Sequence, residues 1–187
     1  MLRDYHATLG ELIVAHSATL EHFAGDGVMV FLNDPVPIEQ HELKSIRFAL
    51  AAHARVSELA LKWAKRGHKL GLGIGIAAGY ATLGRIGFEG RYDYAAVGTV
   101  TNLAARLSAH AERGQTLISE RLFAAVEDWV DAQPVGELDL KGFRSAVTAY
   151  QVSRVREHRV DVTQPLPGPP PELVADSGND VAPRETR

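Results

Sequence analysis

Thr19-Leu-Glu-His-Phe-Ala-Gly-Asp-Gly-Val-Met-Val-Phe-Leu32 reads as two strands folded back on one tight turn. Thr19 to Ala24 and Val28 to Leu32 are apolar or alternating runs, and Gly25-Asp26-Gly27 between them is the strongest short hairpin signal in the chain. Asn33-Asp34-Pro35 closes the second strand. On the N-terminal side, Leu2, Tyr5, Leu9, Leu12 and Ile13 fall at near-helical spacing and predict an amphipathic helix over 2–16. On the C-terminal side, Leu43, Ile46, Leu50, Val56, Leu59 and Trp63 repeat every three to four residues, so 38–66 is one long helix with a single buried stripe. Lys62, Lys65 and Arg66 occupy its last turn, where cations complement the helix dipole, and Gly67 supplies the left-handed cap. That basic cluster reads as a solvated helix end.

Further along, Leu70-Gly-Leu-Gly-Ile-Gly-Ile-Ala-Ala-Gly79 alternates glycine with large apolar residues and predicts a strand with one bulky and one bare face. A bare face needs a reason, and close approach of another backbone or of a ligand is the usual one. Residues 79–90, GYATLGRIGFEG, read as a glycine-rich loop. Tyr92–Val97 is a strand, Thr101–Ala111 a helix, Gln115–Ser119 a strand and Arg121–Asp128 a short helix, followed by a last strand pair, Val135–Leu140 and Thr148–Val152. Hairpins mixed with helical crossovers give an α+β fold, a mostly antiparallel sheet covered by helices on one face.

The domain so defined is 1–157. Six of the nine prolines lie between Pro165 and Pro183, and 158–187 offers little apolar surface to offset its ordering entropy, so it reads as a Pro-rich disordered tail. With 187 residues, 45% of them hydrophobic, the chain has enough length for one real core. Its net charge of −3 lacks the basic footprint of a sequence-independent nucleic-acid binder, so a negatively charged ligand must be met by a few placed residues. No stretch of about 18 apolar residues is present to span a membrane. The absence of cysteine excludes a disulfide framework, a thiolate zinc site and a thiol nucleophile, and suits the reducing cytoplasm, the expected location.

Several motifs fail on context. Gly73-Ile-Gly75-Ile-Ala-Ala78 matches the dinucleotide fingerprint in letters, but the period-two pattern runs through it where a helix should start. The eight histidines show no paired metal-ligand spacing on one helix face, and neither a nucleophile elbow nor a Walker loop occurs. Asp26 has two readings. Asp-Gly makes a good tight turn by itself, and an aspartate fixed on such a turn is also a hard-cation ligand of the kind that holds Mg²⁺ with substrate phosphates. Asn102 and Arg106 stand at i and i+4, hence on the same face of a helix that otherwise buries Leu103 and Leu107. Arginine offers a planar fork for phosphate and asparagine can orient a hydroxyl, although a surface pair would look the same. Lys141, beside Gly142, reads alone as a surface cation.

The ordered set Gly25-Asp26-Gly27-Val-Met-Val-Phe, Gly73-Ile-Gly75-Ile-Ala-Ala-Gly79, Gly84-Arg-Ile-Gly87, Tyr92-Asp-Tyr-Ala-Ala-Val-Gly98-Thr-Val-Thr-Asn102-Leu-Ala-Ala-Arg106-Leu and Leu140-Lys141-Gly142 closely resembles the catalytic domain of class III adenylate/guanylate cyclases. The resemblance covers roughly 1–153. It implies a ferredoxin-like fold and a head-to-tail dimer, whether a homodimer or a pair with another cyclase domain, that binds ATP or GTP between subunits. It also implies conversion of the nucleotide to its 3′,5′-cyclic form and pyrophosphate, with two Mg²⁺ or Mn²⁺ ions as cofactors. Within that resemblance Asp26 matches a metal-binding aspartate, Asn102 the residue that orients the ribose, Arg106 the one that stabilises the five-coordinate phosphorus, and Lys141 the lysine on the terminal phosphates.

Two positions depart from the pattern. The purine-reading positions hold His22 and Ala95, and Ala95 has no side-chain partner to give, so discrimination by paired hydrogen bonds is weakened; ATP is the expected substrate ahead of GTP. The family's other metal-binding aspartate lies on a strand that precedes the helix beginning here at Leu2, and this chain has no residues for it. The expectation is a sheet short of its first strand, and a chain inactive or nearly so by itself unless an upstream segment or a partner chain supplies that strand. An upstream sensory domain is compatible with this. The alternative is a regulatory or dimerising cyclase-like domain without turnover, which the missing strand favours and the presence of Asp26, Asn102, Arg106 and Lys141 disfavours.

Overall fold

In the computed structural model, which describes residues 1–156, helix α1 (Leu2–Ala15) leads into the hairpin β1 (Thr19–Ala24) and β2 (Gly27–Phe31). The long helix α2 (His41–Ala64) follows, then β3 (Ile74–Ile76), β4 (Thr82–Phe88), β5 (Arg91–Val97), α3 (Thr99–His110), β6 (Thr116–Ser119), α4 (Glu120–Val126), a short 3₁₀ turn, β7 (Val130–Leu138) and β8 (Val147–Val155). The reading of 158–187 as a tail lies outside the described residues.

The strands form three hydrogen-bonded groups: β1–β2, β4–β5, and a four-stranded sheet in the order β3-β6-β8-β7. All pairs are antiparallel except β3 with β6. Helices α1, α2 and α4 cover one face of the four-stranded sheet. Leu43 and Ile46 of α2 and Leu122 and Val126 of α4 pack with Ile118 and Val152, while Leu9 and Leu12 of α1 meet Ala52 and Val56 of α2, with Ile74 against them. The other face is not bare, which corrects the expectation of helices on one side only. Leu107 of α3 packs there with Leu117, Leu138 and Ala149, so β6 is buried on both faces.

The bare side of the glycine-rich strand explains this. A Cβ at Gly75 would overlap the backbone of Ser108 and Ala104, and one at Gly73 would collide with the carbonyl of Ala111, so α3 lies directly on the main chain of β3. The strand itself is shorter than the 70–79 predicted. Only Ile74–Ile76 pair, with β6 on one side, and among the described residues no strand pairs with the other edge, so no ladder extends over 70–73 or 77–79. Residues 82–88, expected as part of a loop, are β4, zipped to β5 in register from Thr82↔Val97 to Phe88↔Arg91. Cross-strand pairing overrides the low strand propensity of Gly84 and Gly87.

Helix α2 begins at His41 rather than 38, because Pro35 and Pro37 cannot join the helical ladder and Gln40 takes a left-handed conformation ahead of it. Its C-terminus closes as the sequence predicts. Gly67 has φ +81°, and the N–H groups of Arg66, Gly67 and His68 bond back to Trp63 and Ala64.

Candidate functional site

Asp26 sits at the tip of the β1–β2 hairpin, exposed, with Gly25 before it at φ +66°. The tip is braced from α1. His6 stacks against Phe23 with ring centroids 4.2 Å apart, and its Nε2 lies 3.2 Å from the carbonyl oxygen of Gly25. The Tyr5 hydroxyl is close enough to register the charge; burial raises its pKa and the Asp26 carboxylate raises it further. Sequence reasoning missed both residues, since nothing in the α1 pattern distinguishes a brace from an ordinary helix surface.

Asn102 and Arg106 are exposed on α3, and Leu107, fully buried, anchors the helix between them and the sheet. Neither side chain makes a hydrogen bond or ion pair among the described residues, so both remain available to a ligand. Lys141 is presented on a turn whose preceding residue, Leu140, is buried. Phe143 N–H donates to the Leu140 carbonyl at 3.0 Å, and Gly142 takes φ +96°, the left-handed region that a side chain resists.

His22 and Ala95 stand on neighbouring strands. The link between those strands is a residue that the sequence did not single out, Glu21. The β1–β2 register slips between Leu20↔Val30 and His22↔Met29, so Glu21 is the extra residue of a bulge. Its Oε1 accepts the N–H of buried Ala96 at 3.3 Å. Farther along, the Tyr94 hydroxyl donates to Asp34 Oδ1, and the Phe31 and Tyr94 rings lie 6.0 Å apart. Side chains, not a backbone ladder, therefore hold β5 against the hairpin, and they set His22 and Ala95 one residue away from the contact. The only sequence sign was an acidic residue inside an apolar strand, and a bulge cannot be read from composition.

A cavity of about 320 Å³ lies between β2 and β3, lined by Met29–Asp34 on one side and Ile76–Ala81 on the other, with Ser45 of α2 and Val100, Thr101 and Ala104 of α3. None of the six predicted site residues lines it. Each strand beside it is the end strand of its own group, so two unpaired backbone edges border the space.

As for metal, Asp26 is one carboxylate at an exposed turn, enough to hold an ion together with substrate phosphates. Among the described residues no three His, Asp or Glu side chains are grouped as a metal site, so a bridged ion pair would need a second carboxylate brought to Asp26. Within this one chain four of the six candidate residues fall into two sets. His22 and Asp26 lie on the hairpin, while Asn102 and Arg106 lie on α3, and no hydrogen bond or ion pair joins Asp26 to either helix residue. No helix among the described residues is long and apolar enough to cross a membrane.

Residues 1–154 match the family model of the adenylate and guanylate cyclase catalytic domain. The chain is 32% identical over 157 residues to adenylate cyclase 1 of Rhizobium meliloti, a match covering 81% of this chain and 23% of that protein. It thus spans about a quarter of that relative's length. Among solved structures, the adenylyl cyclase CyaB from P. aeruginosa superposes with a TM-score of 0.77 at 31% identity, covering 83% of this chain and 81% of that one. The guanylyl cyclase Cya2 superposes with a TM-score of 0.75 at 28% identity, covering 85% and 81%. The chain thus belongs to the adenylate and guanylate cyclase catalytic domain family.

Proposed function

We propose that this domain converts ATP, and GTP less well, to the 3′,5′-cyclic nucleotide and pyrophosphate, working as a dimer in intracellular signalling. The observation that carries the reading is the seating of α3. It holds Asn102 and Arg106 exposed, without internal partners, on a helix that cannot move without dislodging β3. In the reaction the ribose 3′-oxygen attacks the α-phosphorus, its proton passes to solvent water, and the bond from that phosphorus to the bridging oxygen of pyrophosphate breaks. Asn102 orients the ribose, Arg106 neutralises charge on the five-coordinate phosphorus, and Lys141 holds the terminal phosphates. His22 faces the purine, with Ala95 leaving the second base-reading position without a side-chain bond. Asp26 would hold Mg²⁺ or Mn²⁺, which would lower the pKa of the attacking hydroxyl and offset phosphate charge.

The two-set layout supports a shared site. Asp26 and His22 of one protomer would meet Asn102 and Arg106 of its partner, so that each chain serves two sites. The cavity between the free edges of β2 and β3 supports a second part of the proposal: it is a slot for one more strand, which brings the second carboxylate and closes the sheet. Without that strand the 187-residue chain is expected to turn over little or nothing. A catalytically silent, dimerising domain is the competing reading, and the lone carboxylate at Asp26 favours it.

The test compares the chain with a form extended upstream in frame, each with Mn²⁺ and ATP or GTP. In an active form, Arg106→Ala should lower turnover by about 10³-fold or more while leaving dimerisation and melting temperature unchanged. Turnover within a few-fold of the parent would remove Arg106 from the mechanism.

A further inference from the structure

We propose that the end of the domain formed by the C-terminus of α2 and the α3–β6 loop docks on an anionic phospholipid surface. The sequence from Leu59 to Phe88 contains no aspartate or glutamate, and Lys62, Lys65, Arg66 and Lys69 fall within eight residues of it. The fold adds a fifth full charge. Arg113 packs its side chain over Gly71, and Gly114 N–H donates to the Leu72 carbonyl at 2.8 Å, which places the loop beside the 67–72 segment. A chain of net charge −3 thereby gathers five positive charges at one end.

Three features separate this from an ordinary solvated helix end. The display is rigid: the Arg66 guanidinium lies 4.7 Å from the centre of the Trp63 ring, His68 meets the same ring at 5.9 Å, and the turn between them is closed by three backbone bonds to Trp63 and Ala64. Counter-charges are few, because no ion pair engages Lys62, Lys65, Arg66, Lys69 or Arg113 among the described residues. The nearest carboxylates in sequence are Glu58, which faces Arg55, and Glu112. Finally, apolar surface lies among the cations. Leu61 is 71% exposed and shares a helix face with Lys65, four residues on. An acidic protein segment would need only the charges. Cations around an exposed leucine fit an interface in which phosphates meet the lysines and acyl chains meet Leu61.

Docking here leaves the candidate site open. Arg113 follows the C-terminal end of α3, whereas Asn102 is in its first turn, and the helix is about 18 Å long.

The test is co-sedimentation of the full 187-residue chain with vesicles of phosphatidylcholine alone or with roughly a quarter phosphatidylserine. Binding to the anionic vesicles only, falling steeply with added salt, is expected. Each cation near such a surface contributes about fivefold to partitioning, so the triple variant Lys62→Ala/Lys65→Ala/Lys69→Ala should lose about 100-fold. Leu61→Ser should weaken binding a few-fold while keeping its salt dependence, and melting temperatures confirm that both variants fold. No binding to anionic vesicles, equal binding by the triple variant, or a patch that retains polyglutamate but not vesicles would each overturn the proposal.

Discussion

Helix α3 and the β1–β2 hairpin carry the two halves of the candidate site, and they are held in opposite ways. The helix rests on main chain: Gly73 and Gly75 let its backbone touch β3, and Leu107 is sealed beneath it with Leu117 and Ala149. The hairpin is a two-stranded ribbon. It is fixed by the Glu21 carboxylate on Ala96, the Tyr94 hydroxyl on Asp34, and the His6 ring on Phe23 and Gly25, while the far edge of β2 borders an open cavity. The half that would stabilise charge on phosphorus is thus built into the core, and the half that would hold metal and purine is hung on side chains. Two strands alone are marginally stable, so the ribbon depends on these few contacts and on whatever fills the slot beside it.

Breaking the α3 seat should cost most. Gly75→Val forces side-chain atoms into the backbone of Ser108 and Ala104, neither of which can yield without moving the helix. A loss of about 3 kcal/mol or more is expected, lowering the melting temperature by roughly 9 °C, and binding of nucleotide by Asn102 and Arg106 should fall with it. A melt within a degree or two of the parent would show that α3 is not seated on β3.

Loosening the hairpin should cost less in stability and more in specificity. Glu21→Ala leaves the buried N–H of Ala96 without its acceptor, for about 1 kcal/mol. Glu21→Gln, which keeps an acceptor oxygen, should restore most of it. Tyr94→Phe removes the second pin, and the ratio of ATP to GTP turnover should drift in both Glu21→Ala and Tyr94→Phe, since the pins set the spacing of His22 and Ala95. Unchanged ratios in an active form would separate the pins from base reading.

The smallest effect is a pH dependence that belongs to the core side. His53 on α2 has its Nε2 2.9 Å from Thr116 Oγ1 of β6, and burial lowers its pKa below the ordinary value near 6.5, partly offset by a hydrogen bond to the backbone of Gln115. The unfolded chain takes up the proton first. Stability from this group is therefore full above about pH 6.5 and declines as pH falls below it, until folded His53 itself protonates. His16, also lowered by burial, acts in the same direction. Thermal melts from pH 7.5 to 5.5 should show a shallower decline for His53→Gln than for the parent; parallel curves would place the dependence elsewhere.

The same contrast decides what the sequence could reveal. Both long helices and the Gly25-Asp26-Gly27 turn follow from local periodicity and turn chemistry, and the bare face of the glycine strand correctly announced a close neighbour. What stayed hidden depends on partners far along the chain. β3 is short because only β6 pairs with it, residues 82–88 became a strand because β5 lies opposite, and the bulge that aims Glu21 at Ala96 is a matter of register between β1 and β2. Asp26, Asn102, Arg106 and Lys141 were singled out through family resemblance, and the structure adds where each one sits. His6, Tyr5 and Tyr94 were not, because a supporting residue carries no chemistry that marks it in advance.

The most direct measurement is complementation in a dimer. Asp26→Ala and Arg106→Ala chains, each in the upstream-extended form, are assayed for cyclic nucleotide separately and after mixing, with Mn²⁺ and ATP. Background turnover is expected from each variant alone and recovered turnover on mixing, because one of the two sites in a mixed dimer would have both Asp26 and Arg106 intact. Folded, mixed dimers that make no product, beside a parent that does, would contradict a site shared between protomers.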